Sequence, residues 1–109
     1  MKKLLASAIL LGLAAPQVAT AAEEVNVYSY RQPFLVEPMF NEFTKETGIK
    51  VNVNFAKKGL AEKLQQEGEY SPADMILTTD ISRLVELANK NLVQPVDSKV
   101  IEQNVPTQY

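Results

Sequence analysis

The 109-residue chain predicts a three-layer α/β domain built on a parallel sheet. Two observations carry that expectation. Strand-like and helix-like segments alternate in the order β-α-β-α-β-α, which calls for right-handed crossovers between parallel strands. The third strand-like segment, Met75-Ile76-Leu77, is a continuous apolar run of the kind a central strand buried on both faces carries.

Each element has its own signature. Val25, Val27 and Ser29 alternate with Asn26, Tyr28 and Tyr30 in a β-branched and aromatic stretch, a first strand that ends at Arg31-Gln32-Pro33. From Pro33 to Thr47, Val36, Met39, Phe40 and Phe43 recur at helical spacing, with Pro33 suited to the first turn, Pro38 inside and Gly48 as the stop. Ile49, Val51, Val53 and Phe55 alternate with Lys50, Asn52 and Asn54, so the second strand has a polar face and suits an edge or half-covered position. Gly59 opens a short polar helix, Leu60 to Glu67, that Gly68 closes. After the Ser71-Pro72-Ala73-Asp74 turn and the apolar strand, Asp80 is a good N-cap for a third helix whose stripe is Ile81, Leu84, Val85 and Ala88. Leu92 to Val96 is a short extended piece restricted by Pro95, and Asp97 or Ser98 caps a brief helical stretch through Gln103.

Ahead of these elements, residues 1–21 read as a secretory signal peptide: Lys2-Lys3, an apolar run from Leu4 to Ala15, then Pro16 and small residues at Ala19-Thr20-Ala21. The apolar run spans about 18 Å as a helix, short of the ~20 residues a bilayer core demands, so no stable membrane anchor is expected. Cleavage after Ala21 leaves residues 22–109 exported, in a double-membrane bacterium to the periplasm. Parallel sheets need helices on both faces, and this length looks short of a complete core.

The chain contains no Cys, His or Trp. Zinc and iron–sulfur sites built on Cys or His, disulfide scaffolds and Ser-His-Asp or Cys-His nucleophiles are thereby excluded, and any metal must take oxygen ligands. Removing Lys2 and Lys3 takes 11 basic and 13 acidic residues to 9 and 13, a net charge of −4. A mildly acidic chain without basic clusters has no electrostatic footprint for nucleic acid. In an open parallel sheet, ligands bind beyond the carboxyl ends of the strands. Three segments should reach that edge: Ser29 to Pro33, Ala56 to Gly59 and Thr78 to Asp80. Arg31 supplies a planar cationic fork suited to an oxyanion, although an isolated Arg after a strand is more often a surface or ion-pair residue. Lys57-Lys58-Gly59 reads as a solvated loop with a helix-opening glycine, since no Walker or dinucleotide glycine pattern accompanies it. Phenolate oxygen suits ferric iron, so the four tyrosines need weighing. Tyr28 and Tyr30 share a strand face and are assigned to packing under the first helix with hydroxyls at the rim. Tyr70 sits beside a turn as a surface or packing residue, and the Glu23/Glu24 and Glu67/Glu69 pairs are assigned to solvent.

The segments Val25-Asn26-Val27-Tyr28-Ser29-Tyr30-Arg31-Gln32-Pro33, Thr47-Gly48-Ile49-Lys50-Val51, Lys58-Gly59-Leu60-Ala61, Ser71-Pro72-Ala73-Asp74, Leu92-Val93-Gln94-Pro95 and Asn104-Val105-Pro106 carry a resemblance in their order and spacing. Together they resemble the ferric-iron-binding subunit of bacterial ABC importers. Members of that family are periplasmic two-lobed proteins of the type II periplasmic-binding-protein fold, about three times this length, with iron in the cleft between lobes. The resemblance implies that residues 22–109 are the N-terminal part of the first lobe, an incomplete three-layer parallel-sheet lobe.

Where some relatives carry His after the first strand this chain has Gln32, where others add a Tyr it has Pro33, and where some carry a Glu ligand after the third strand it has Thr79. The pattern resembles the subgroup that holds Fe(III) through tyrosines of the second lobe plus a synergistic carbonate; those tyrosines would lie beyond Tyr109, and no residue here is assigned as a metal ligand. Arg31, Gln32 and Thr79 are then cleft-lining candidates toward the anion or bound water. The implied partners are ferric iron and the inner-membrane permease and ATPase, with no enzymatic reaction. The alternatives are a binding protein for another small solute (an anion, sugar or polyamine) and a truncated chain that binds nothing. A secreted enzyme is disfavoured because no nucleophile–base pair is present.

Overall fold

The computed structural model describes residues 23–108, so the expected leader over 1–21, with Ala22 and Tyr109, lies outside the described residues. Strand β1 (Glu24–Ser29) leads into helix α1 (Pro33–Thr47), strand β2 (Lys50–Phe55), helix α2 (Leu60–Glu67), a 3₁₀ turn (Gly68–Tyr70), strand β3 (Met75–Leu77), helix α3 (Ile81–Asn89) and helix α4 (Lys99–Asn104). The strands form a parallel sheet in the order β2-β1-β3, with Val27 opposite both Val53 and Met75. The β-α-β-α-β-α order is therefore as expected. Gly48 ends α1 in the left-handed conformation at φ 74°, and its N–H donates to the Thr44 carbonyl at 2.8 Å.

The central strand is β1, not β3. Among the described residues β3 pairs with β1 alone, and Met75 is 41% exposed, so the apolar run expected to be buried on both faces is an outer strand here. β1 has neighbours on both sides, and Val27, Tyr28, Ser29 and Tyr30 are all buried.

Strand order also decides which helix covers the tyrosines. The β1–α1–β2 crossover moves one way along the sheet and β2–α2–β3 moves back past β1, so right-handedness puts α1 and α2 on opposite faces. By the period-2 alternation of β1, Tyr28 and Tyr30 point to one face and Val27 and Ser29 to the other. The buried cluster is Tyr28, Tyr30, Leu60, Ala61, Leu64 and Leu87. The tyrosines thus pack under α2 and α3, which corrects their assignment to the first helix.

Two helical stripes behave differently from their periodicity. In α1 Val36 is buried and Phe40 half-buried, while Met39 and Phe43 are exposed, because α1 lies along the outer strand β2 and meets only a narrow part of the sheet. In α3 the expected stripe of Ile81, Leu84, Val85 and Ala88 is exposed and Leu87 is the buried residue, at 1% exposure. The helix turns its Arg83–Leu87 edge, an i,i+4 pair, toward Tyr30. A polar residue at position 83 hid that face from a hydrophobicity reading.

Candidate functional site

Because the strands are parallel, the β1–α1, β2–α2 and β3–α3 connections all lie at the carboxyl edge of the sheet, as anticipated. Each is built locally. Ser29 is fully buried, and its Oγ accepts from the Arg31 N–H at 2.9 Å and donates to the Arg31 carbonyl at 2.8 Å. This closes a tight turn that leaves Arg31 and Gln32 exposed. Gln32 is extended (φ −64°, ψ 140°), the conformation a residue before proline prefers, and its side chain makes no capping bond, so the amide stays available at the edge.

In the second connection, Gly59 caps α2 at φ 88° and has no side chain to accept from the first helical N–H groups. Tyr30 supplies the acceptor instead: the Ala61 N–H donates to its Oη at 3.2 Å. In the third, Asp80 caps α3 as expected, with Oδ1 accepting from the Ser82 hydroxyl at 2.6 Å and from the Arg83 N–H at 3.0 Å. The Ser82 hydroxyl, then the Arg83 N–H, hold the Asp80 carboxyl below its usual range. Thr79 is exposed, its hydroxyl 3.5 Å from Asp80 Oδ2.

Arg31, Gln32 and Thr79 thus stand exposed on connections that share one edge. The charged residues of these three connections are Arg31, Lys57, Lys58 and Asp80, a cationic majority to which Arg83 adds in the first turn of α3. Such an edge attracts an anion. It does not by itself assemble a site for a hard trivalent cation, which needs several anionic oxygens converging on one point. No group of three or more His, Cys, Asp or Glu side chains is clustered for a metal among the described residues.

One tyrosine hydroxyl is engaged away from this edge. Tyr28 donates to Glu67 with both carboxylate oxygens at 2.8 Å, and the Lys63 ammonium lies 4.9 Å from its ring centroid. Burial first, then the Glu67 carboxylate, push the Tyr28 phenol above its ordinary value, opposing phenolate formation. Glu67 also accepts from Ser71 at 3.1 Å and is half-buried, so its assignment to solvent is corrected. Tyr70 is 87% exposed, in agreement with a surface position beside a turn. Two grooves are lined away from Arg31, Gln32 and Thr79. One of about 520 Å³ is mixed, with Asn26, Asn52, Asn54, Lys63 and Glu67 beside Val53, Phe55 and Pro72; one of about 570 Å³ is mainly apolar, with Leu64, Met75, Ile76, Leu84, Leu92 and Val93 beside Asp74, Asn91 and Gln94.

Arg83 escaped the sequence reading. The signal was present: a cation in the first turn of a helix opposes the macrodipole and calls for a compensating contact.

A family model described as bacterial extracellular solute-binding protein matches residues 28–109. The iron uptake protein A1 of Synechocystis sp. is 42% identical over 85 residues, covering 77% of this chain and 24% of that protein. The Fe(3+)-binding periplasmic protein of Serratia marcescens is 38% identical over 104 residues, covering 94% of this chain and 30% of that protein. Among solved structures, the ferric iron-binding protein A of Mannheimia haemolytica in an open conformation superposes with a TM-score of 0.76 at 62% identity, covering 80% of this chain and 28% of that one. The chain therefore spans 24–30% of the length of these proteins.

Proposed function

This chain belongs to the family of bacterial extracellular solute-binding proteins, and from that premise we propose that it forms the first-lobe wall of a periplasmic ferric-iron-binding subunit of an ABC importer. The observation that carries the proposal is the 62% identity over 80% of this chain to a ferric iron-binding protein of the same local fold. The basic carboxyl edge agrees with it and argues against a polyamine, which the cations there would repel. In this reading residues 1–21 export the chain, residues 22–109 begin the first lobe, and Fe(III) is cargo held chiefly by groups outside this segment. Arg31 faces a synergistic anion such as carbonate, through which alone a guanidinium can assist a ferric ion. Gln32 and Thr79 contact the anion or bound water as neutral groups. The permease and ATPase of the importer are the partners, and the role is binding rather than catalysis.

The test is a chimera in which residues 23–108 replace the matching segment of the Mannheimia haemolytica protein, titrated with ferric citrate. A folded chimera that retains iron with a visible phenolate-to-iron band, and retains it less tightly after Arg31→Ala than after Gln32→Ala, supports the proposal; a folded chimera that retains no iron overturns it. The 109-residue chain alone is expected to develop no such band, and a strong band there would make one of its own tyrosines a ligand.

A further inference from the structure

We infer that Arg83 is a positioning residue that clamps the three connections of the carboxyl edge into one surface, its own charge committed within the clamp rather than to an anion. The inference rests on the reading of this edge as an anion-facing wall. One guanidinium reaches all three connections. Its Cζ lies 4.1 Å from the centroid of the Tyr30 ring, at the exit of β1. Its Nη2 donates to the Lys57 carbonyl at 3.4 Å, in the connection after β2. Its Nε lies 3.8 Å from Asp80 Oδ2, in the connection after β3.

Each contact alone is long or partly solvated, and the side chain is 35% exposed. Their convergence is what matters. A planar fork satisfies a stacked ring, a carbonyl and a carboxylate together, which the point charge of an ammonium cannot do. Arg83 also occupies an unfavourable place for a cation, the first turn of α3, where the helix dipole opposes it. The Asp80 carboxylate and the Tyr30 π-face offset that cost. The same ring carries the second link of the clamp, because the Tyr30 hydroxyl accepts from Ala61 and so ties the start of α2 to β1. With its charge committed to Tyr30 and Asp80, Arg83 is not the edge cation free to meet a ligand. The exposed cations left to do so are Arg31, whose backbone is fixed by Ser29, and Lys57 and Lys58 in the loop before α2.

The clamp separates shape from charge, and ¹⁵N-labelled 109-residue chain carrying Arg83→Lys or Arg83→Gln tests it, with Lys90→Gln as a control that removes a cation from the far end of α3. Amide exchange is read at Tyr30, Ala56 and Ala61, whose N–H groups donate to the Leu77 carbonyl, the Ser29 carbonyl and the Tyr30 hydroxyl at the exits of the strands, and citrate-induced shifts are read at Arg31 and Gln32. Both Arg83 variants are expected to raise exchange at those three amides roughly tenfold, the worth of a cation–π contact plus a hydrogen bond. Leu64 in α2 should stay protected, and both variants should weaken the citrate response together. Lys90→Gln should change neither readout. If Arg83→Lys keeps wild-type exchange, the clamp is overturned whatever citrate does. If Arg83→Lys keeps the citrate response while Arg83→Gln loses it, Arg83 acts by charge as an anion ligand, and the inference is equally overturned. Loosened connections in both variants with no citrate response in the wild type would support the clamp and overturn the anion-facing reading beneath it.

Discussion

Replacing Tyr28 by Phe isolates one hydroxyl in a fully enclosed ring. Tyr28 is 3% exposed, and its phenol donates to Glu67 with both oxygens at 2.8 Å, a charge-assisted bond joining the central strand to the end of α2. Such bonds contribute about 1.5–3 kcal/mol. Glu67 is only half-buried and keeps the Ser71 hydroxyl, so water recovers part of the loss and Tyr28→Phe should cost about 1–2 kcal/mol, a fall in Tm of roughly 5–15 °C. The ring and its packing against Leu60 and Leu64 are unchanged, which keeps the variant foldable. A pH signature accompanies the loss. Burial and the Glu67 carboxylate raise the Tyr28 pKa above its ordinary 10.0. The stabilisation this reflects is fully present below that value and is lost as pH rises through the raised one. Urea denaturation across the alkaline range should therefore show the wild type losing stability with a slope the variant lacks, the two curves converging. Equal stability at pH 7, or parallel alkaline profiles, would refute the assignment of this hydroxyl to a structural bond.

Other substitutions probe the packing and the caps. Leu87→Ala should cost about 2–5 kcal/mol by urea denaturation, against under about 1 kcal/mol for Leu84→Ala, because Leu87 is enclosed and Leu84 is 42% exposed. Gly59→Ala should destabilise by about 1 kcal/mol through backbone strain at φ 88° alone, since a methyl group there meets nothing within 4 Å; an unchanged Tm would mean the turn relaxes freely. The Asp80 carboxyl is held below its usual pKa by Ser82 and then by the Arg83 N–H, so its stabilisation is present above the ordinary value of 3.8 and is lost as pH falls through the lowered one. Asp80→Asn, which keeps an N-cap, should flatten the acid limb followed by circular dichroism, and an acid limb identical to the wild type would count against that bond.

The sequence by itself determined the order of the elements, because strand alternation, helical spacing and capping residues are local: Pro33, Gly48, Gly59 and Asp80 each mark a boundary through their own backbone preference or first hydrogen bonds. It also determined which connections reach the carboxyl edge, since parallel strands leave no other place for Arg31, Gln32 and Thr79. Only the tertiary structure decided what covers what. The reversal of the second crossover put α2 rather than α1 over Tyr28 and Tyr30, and it made β1 the strand with two neighbours. The rotation of α3 about its axis was likewise settled by contact: Arg83 and Leu87 meet Tyr30 and its neighbours, leaving the more regular stripe of Ile81, Leu84 and Val85 exposed. Periodicity reports how apolar residues repeat along a helix. It does not report which neighbour the helix finds, and a cation stacked on an aromatic ring can face the core while counting as polar.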